Sequence, residues 1–302
     1  MTQARALLIL HGKQAQNEEV REAVTAMREQ GWDLVVRVTW EDGDAERFVD
    51  EAASSGIPHL IAGGGDGTLG IITAYVAEHA PHISVVLLPL GTANDFATAA
   101  GIAPEPALAL ALLNTPPVKV DMGKINDRYF LNMVTGGFGS QVTATTNEDL
   151  KKVLGGAAYL LTGISRLGQA GSLEGRFIGP DFSWEGHFLA FGVGNGQQAG
   201  GGQVLCPRAS IDDGLLELCI VPAAEGALST LGTMLSGSVR GVDSVSVSAM
   251  LEWCEITVTQ GVDINLDGEP QHCRTMRFTV AKEALLLHLP ATSALLGANQ
   301  VI

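Results

Sequence analysis

Apolar positions along the first third of the chain come in short blocks that alternate between two spacings. "RALLIL" (5–10) is a continuous apolar run, as expected of a strand covered on both faces. "NEEVREAVTAMREQG" follows, with Val20, Ala23, Val24 and Met27 at helical spacing, Asn17 placed to cap the start and Gly31 to stop the end. "WDLVVRVTW" (32–40) reads as a β-branched strand and "DAERFVDEAASSG" (44–56) as a second helix. "HLIAGGG" is a third strand, and "TLGIITAYVAEHAP" sets Leu69, Ile72, Tyr75 and Val76 on one helical face before Pro81 ends it. "ISVVLLPLG" makes a fourth strand and "EPALALALLN" (105–114) a further helix. Strands interleaved with short helices predict an α/β domain with a doubly wound parallel sheet.

After "VKVDMGKIN" the texture changes. Short β-like runs separated by glycines follow: "RYFLNMVTG", "GHFLAFGVGNG", "LLELCIV", "CEITVTQ" and "MRFTVAKEALLLHL". Helical patterns survive near 148–170 and 223–240. The expected division is therefore an α/β domain over 1–122 and a mainly antiparallel, β-sandwich-like domain over 123–289. The tail, about 290–302, is a candidate to pack back on the first domain.

Composition removes several classes of function. At 302 residues, 46% apolar and 17% charged, the chain can bury a sizeable core. A net charge of −15, with no run of Lys and Arg, argues against nucleic acid and against polybasic docking on anionic lipid. The apolar run near the start, Ala6 to Leu10, is too short for the core of a signal peptide, and no stretch approaches a membrane span. Cys206, Cys219, Cys254 and Cys273 are widely spaced with no CxxC, so free, mostly buried thiols in a cytoplasmic setting are expected.

Two segments point to phosphate. "IAGGGDGTLG" (61–70) takes a strand through a glycine-rich turn into a helix, where bare backbone N–H groups and the helix start offer partial positive charge. It is neither a Walker loop nor a dinucleotide fingerprint. Asp66 in its middle would repel phosphate unless it faces a ribose, a water or a magnesium ion. "LPLGTANDFA" (88–97) again ends an apolar strand and enters a short helix, with Thr92, Asn94 and Asp95 available as caps. Loops that follow strand C-termini in a parallel sheet line the ligand crevice, so these two should converge.

In this order and about 25 residues apart, these segments resemble the catalytic domain of the diacylglycerol kinase family, and most closely its bacterial YegS-like lipid kinases. The later segments "NMVTGGFGS" (132–140), "GNGQQAGGGQVLCPRASIDDGLLEL" (194–218) and "LDGEP" (266–270) extend the resemblance over nearly the whole chain.

The resemblance implies ATP binding by Gly65, Asp66, Gly67, Thr68, Leu69, Gly70 and Ile71, with Thr39 after the second strand and Thr92 of the later loop. It implies Mg²⁺ near Ser210, Asp213 and Leu215, the last through its backbone carbonyl. It also implies Glu269 as the general base, with Asp66 counted beside it as catalytic. Read without the family, "NLDGEP" is a hairpin turn and "DDG" an acidic surface turn. "GVGNGQQAGGGQ" fits either a second phosphate loop or a loop shaping an acceptor site. One departure is visible: the first loop reads "LILHGKQAQN", so His11 stands where the family often has asparagine, and no proline follows. His11 is not expected to be catalytic, while Gly12 and Lys13 remain able to approach phosphate.

The expected activity is ATP- and Mg²⁺-dependent transfer of a γ-phosphoryl group to a lipid hydroxyl, as in diacylglycerol or phosphatidylglycerol. The lipid would be met at a membrane surface or in micelles, by a cytoplasmic protein with peripheral access. The alternatives are an NAD kinase, whose superfamily shares the GGDGT loop, and a non-catalytic nucleotide-binding regulator.

Overall fold

The computed structural model describes residues 4–137, 172–223, 246–266 and 269–297. The helical patterns expected near 148–170 and over most of 223–240 lie outside them, as do Asp267 and Gly268. The chain divides into two compact units, Met1–Met122 with Lys282–Ile302, and Gly123–Ala281.

In the first unit the elements run β1 (Arg5–Leu10), α1 (Glu18–Glu29), β2 (Asp33–Val38), α2 (Asp44–Ser54), β3 (His59–Gly64), α3 (Asp66–His79), β4 (Ser84–Pro89), α4 (Asp95–Ala99) and α5 (Pro106–Ala111). β1 pairs in parallel with β2 on one side and with β3 on the other, and β3 pairs in parallel with β4. The apolar runs of β1, β3 and β4 are almost wholly buried, which is why they carry no alternation. β2, at the edge, is only half-buried. Helix α1 packs on α5 and helix α2 on α3.

The strand order β2-β1-β3-β4 reverses direction between β1 and β3. In open α/β sheets, ligands bind outside the strand C-termini at such a reversal. Asn17 caps α1 by accepting the Val20 N–H at 3.2 Å, and Gly31 takes φ +98° just beyond its end. α3 begins at Asp66, two residues earlier than its apolar face suggested.

Crossing into the second unit is β5 (Val118–Ile125), followed there by β6 (Arg128–Phe130), β7 (Met133–Gly137), β8 (Leu173–Gly179), β9 (Phe182–Gly194), β10 (Gln198–Ala199), β11 (Gln203–Val204), β12 (Leu216–Pro222), β13 (Val247–Leu251) and β14 (Trp253–Leu266). β15 (Glu269–Leu287) continues into the first unit, where Leu286 and Leu287 extend its sheet in parallel beside Ser84 and Val85 of β4. Within the second unit the order β13-β12-β9-β7-β14-β15 is antiparallel throughout, and β8 pairs with both β9 and β14. Its core is aromatic: Phe177 meets Phe188, Phe191 and Trp184 edge to face. All four cysteines are free, with Cys206, Cys219 and Cys254 buried and Cys273 partly so. Burial pushes the Cys254 thiol up to about 12, so it packs as a small apolar group.

Candidate functional site

Four loops of the first unit lie at the C-terminal ends of its parallel strands. The first follows β1: His11 N–H donates to the Gly63 carbonyl at 2.7 Å, and Gln14 Nε2 donates to the Leu90 carbonyl at 2.8 Å. His11 Nδ1 accepts the Lys13 N–H at 3.2 Å, so the histidine serves as the cap of a 3-10 turn over Gly12–Gln14. Thr39, just past β2, donates its N–H to Leu10 O at 3.0 Å, and its hydroxyl accepts the Gly12 N–H at 3.2 Å. A Cβ on Gly12 would sit 2.4 Å from the Thr39 carbonyl, so only glycine fits there.

The loops after β3 and β4 meet backbone to backbone. Leu90 N–H donates to Gly64 O at 2.8 Å, and a Cβ on Gly91 would stand 2.5 Å from the Gly65 Cα. Asn94 clamps Gly91 from both sides, accepting its N–H at 2.8 Å and donating to its carbonyl at 2.9 Å. The predicted convergence of the two glycine-rich segments is thus a direct contact.

Asp66 was expected to face a ribose, a water or magnesium, and α4 to be capped by its own Thr92, Asn94 or Asp95. The structure caps α4 from elsewhere. Asp66 Oδ2 accepts the Asp95 N–H at 3.1 Å and Oδ1 accepts the Phe96 N–H at 3.2 Å, so α4 is capped from the neighbouring loop. Asn94, in the left-handed region at φ 51°, makes no side-chain cap because its amide is committed to Gly91.

The loop residues fall into two groups. Gly65 is the N-cap of α3, and the N–H groups of Asp66, Gly67 and Thr68 stand in its first turn, ahead of the i→i−4 ladder. Leu69 donates its N–H to the Gly65 carbonyl at 3.0 Å, and Leu69 and Gly70 are buried inside the helix. Ile71 is on the outer face of α3 and 44% exposed. Thr92 is exposed on the β4 loop.

In the second unit the remaining sequence-derived residues share one end of the antiparallel sheet. Glu269 opens β15 opposite Leu266, Leu266 pairs with Val134 of β7, and Val134 pairs with Val193 near the end of β9. Val193 pairs in turn with Leu218 near the start of β12. Glu269, the segment after Gly194 and the turn before Leu216 therefore end on the same edge. Leu266 and Glu269 pair antiparallel, with Asp267 and Gly268 between them outside the described residues.

In the turn before β12, Asp213 Oδ1 accepts the Leu215 N–H at 2.9 Å, and Ser210 donates its hydroxyl to Asp212 Oδ1 at 2.7 Å. Asp212, overlooked in the sequence although "DD" marks it, thus belongs to the turn. The donor set of Ser210, Asp213 and the Leu215 carbonyl is all oxygen with one carboxylate, a chemistry suited to Mg²⁺ that keeps several waters. Among the described residues no group of three or more His, Cys, Asp or Glu gathers as a metal site. Beside this turn Asn132 braces the glycine-rich segment: its carbonyl accepts the N–H groups of Asn195 and Gly196 at 2.9 and 2.7 Å, and its Nδ2 donates to Gln198 O at 2.9 Å.

Two family models match successive parts of the chain. Residues 5–125 match the diacylglycerol kinase catalytic domain, and residues 132–288 match the YegS C-terminal NAD kinase beta sandwich-like domain. A Pseudomonas aeruginosa protein named "Probable lipid kinase YegS-like" is 57% identical over 296 residues, 98% of each chain. A Pseudomonas fluorescens protein of the same name is 57% identical over 297 residues, 98% of this chain and 99% of its own. A crystal structure of a diacylglycerol kinase from Bacillus anthracis has the same fold, with a TM-score of 0.79 at 22% identity over 96% of this chain and 98% of its own. The chain belongs to the diacylglycerol kinase catalytic-domain family, in the branch that carries a YegS-type C-terminal domain.

Proposed function

We propose that the protein transfers the γ-phosphoryl group of ATP to the hydroxyl of a lipid such as diacylglycerol or phosphatidylglycerol. As a member of this family it is a kinase, a phosphotransferase with an alcohol group as acceptor. The observation that carries the nucleotide part is the meeting of the Gly65 and Gly91 loops beside the β1/β3 reversal, where first-turn N–H groups and absent side chains suit phosphate.

In this reading the N–H groups of Asp66, Gly67 and Thr68 take the phosphates, the Thr92 hydroxyl orients them, and Thr39 contacts the nucleotide from the end of β2. Asp66 acts by position, holding the Thr92 loop against α3. Leu69, Gly70 and Ile71 build the helix that presents those N–H groups. In the second unit Ser210, Asp213 and the carbonyl of Leu215 are the ligands for Mg²⁺, which when bound neutralises phosphate charge. Glu269 takes the proton from the acceptor hydroxyl as its oxygen attacks the γ-phosphorus and ADP departs, a step in which general-base help is typically worth about 10²- to 10⁴-fold.

Among the described residues no helix is long and apolar enough to cross a membrane; in this reading the enzyme is cytoplasmic and meets its lipid peripherally. The test is transfer from labelled MgATP to micellar diacylglycerol, phosphatidylglycerol and sphingosine, and separately to NAD⁺, with Glu269→Gln alongside. The expected result is a labelled lipid whose formation falls by at least about 10²-fold in the variant while ADP binding persists. Label in NADP⁺ would make the protein an NAD kinase. Nucleotide binding with label in no acceptor would make it a regulator.

A further inference from the structure

Trp40 is 93% exposed, the most exposed of the large apolar side chains among the described residues. Single exposed apolar side chains are ordinary on protein surfaces, so what sets this indole apart is its place beside the nucleotide loops. We propose that Trp40 is the stacking platform for the base of the nucleotide, a proposal that rests on the ATP reading of the adjoining loops.

The backbone around it is fixed. The N–H groups of Trp40 and Glu41 both donate to Asp44 Oδ2, at 2.7 and 3.1 Å, and Asp44 is buried at the start of α2 with Arg47 on its other oxygen. Gly43 turns the chain at φ +85°. The indole therefore stands on a loop ordered before any ligand arrives, which lowers the entropy lost on binding.

Its place in the sheet suits the base end of a nucleotide. Thr39, its neighbour, is joined to Leu10 and Gly12 at the end of β1, and His11 is joined to Gly63 of β3. Trp40 thus lies at the same sheet edge as the Gly65 loop, two strands away, or about 10 Å at ordinary strand spacing. That distance leaves room for a ribose and the first phosphates.

Charge decides which end goes where. With Asp44 paired to Arg47, Glu41, Asp42 and Glu46 still leave the Trp40 loop acidic, so it suits phosphate less than the first turn of α3 does. A neutral aromatic base is the part of a nucleotide that an acidic, aromatic-bearing loop tolerates. The same acids oppose docking of this indole on an anionic membrane, the other common use of an exposed tryptophan.

The experiment uses the full chain, which has four tryptophans. Wild-type protein titrated with MgADP is expected to show quenching of tryptophan emission, and Trp40→Phe to bind nearly as well with that quenching lost. Trp40→Ala should bind MgADP about tenfold more weakly by calorimetry, within the range for loss of a base–aromatic stack. Its preference for ATP over CTP as phosphoryl donor should narrow as well. Leu108→Ala, which removes another exposed apolar side chain on α5, should change neither. An unchanged MgADP affinity in Trp40→Ala overturns the inference and leaves the nucleotide reading standing, whereas failure of wild type to bind MgADP overturns both. Loss of binding to phosphatidylglycerol vesicles in Trp40→Ala, with MgADP affinity intact, would make the indole a membrane contact instead.

Discussion

Asp66, the first residue of α3, holds the backbone N–H of Asp95, the first residue of α4, at 3.1 Å. With the Phe96 N–H on its other oxygen, one carboxylate closes the start of a short helix that follows a different strand. The Thr92 loop lies between Gly91, which touches Gly65, and the Asp95 N–H, which touches Asp66. Its position is therefore set at both ends by the glycine-rich turn.

Replacing Asp66 separates that bracing from general stability. Asp66→Ala leaves two helix N–H groups without their acceptor and should cost roughly 1 kcal/mol, a typical value for a lost cap. Asp66→Asn keeps one acceptor oxygen and should melt within a few degrees of wild type. If the carboxylate works by positioning the Thr92 loop, Asp66→Asn should still raise the KM for ATP severalfold. A change in melting temperature with an unchanged KM would reduce Asp66 to a structural cap.

Gly91→Ala attacks the same junction from the other side. The new Cβ would meet the Gly65 Cα at 2.5 Å and Asn94 Oδ1 at 2.8 Å, and the first of these is backbone that cannot swing aside. The two loops must part, so nucleotide affinity should fall by at least tenfold while the strands below, buried on both faces, keep the unit folded. Titration calorimetry with MgADP beside a thermal melt distinguishes this from simple unfolding.

What the sequence discloses depends on how local the cause is. Asn17 and Gly31 were legible because a cap and a stop act within one helix turn. The run of β1 was legible because burial on both faces demands an unbroken apolar block. The role of Asp66 was not, since its partners are 29 and 30 residues away and are reached only once β3 and β4 lie side by side. Gln14, which ties the β1 loop to Leu90, was hidden for the same reason, at a separation of 76 residues. Glu269 and the Ser210–Leu215 turn were found by resemblance, and their common edge comes from the register of β14, β7, β9 and β12, which no short motif encodes.

The magnesium assignment makes a prediction that does not depend on turnover. If Ser210, Asp213 and the Leu215 carbonyl hold the ion, saturating Mg²⁺ without nucleotide should raise the melting temperature, because a ligand that binds only the folded state stabilises it. Asp213→Ala should abolish that rise, and chelation should return wild type to the melting temperature of the metal-free protein. Because Asp213 also holds the Leu215 N–H at 2.9 Å, the variant should melt slightly lower even without metal. An equal Mg²⁺-dependent rise in both proteins would move the ion elsewhere.

At the opposite, N-terminal edge of the parallel sheet a three-residue chain ties the returning segment of the first unit to β3 and β4. His288 Nδ1 faces the carbonyls of Thr115 and Leu112 at 2.8 and 3.1 Å and must therefore carry a proton. Its neutral Nε2 then accepts from the Ser84 hydroxyl at 2.9 Å, and Ser84 in turn accepts from His59 Nδ1 at 2.7 Å. Each imidazole also meets the other edge to face, and His59 meets Trp32. Burial pulls both histidines below their ordinary value, and for His288 the neighbouring His59 adds to the effect. The sign follows: the unfolded chain takes up these protons near pH 6.5 while the native protein resists, so stability is full above that pH and falls as pH drops through the lowered native values. Ser84→Ala should cost about 1–3 kcal/mol, as expected when buried partners lose a hydrogen bond. His288→Gln, which cannot be protonated, should flatten the decline in melting temperature between pH 7 and pH 5. An unaltered acid profile in that variant would show that other groups govern it.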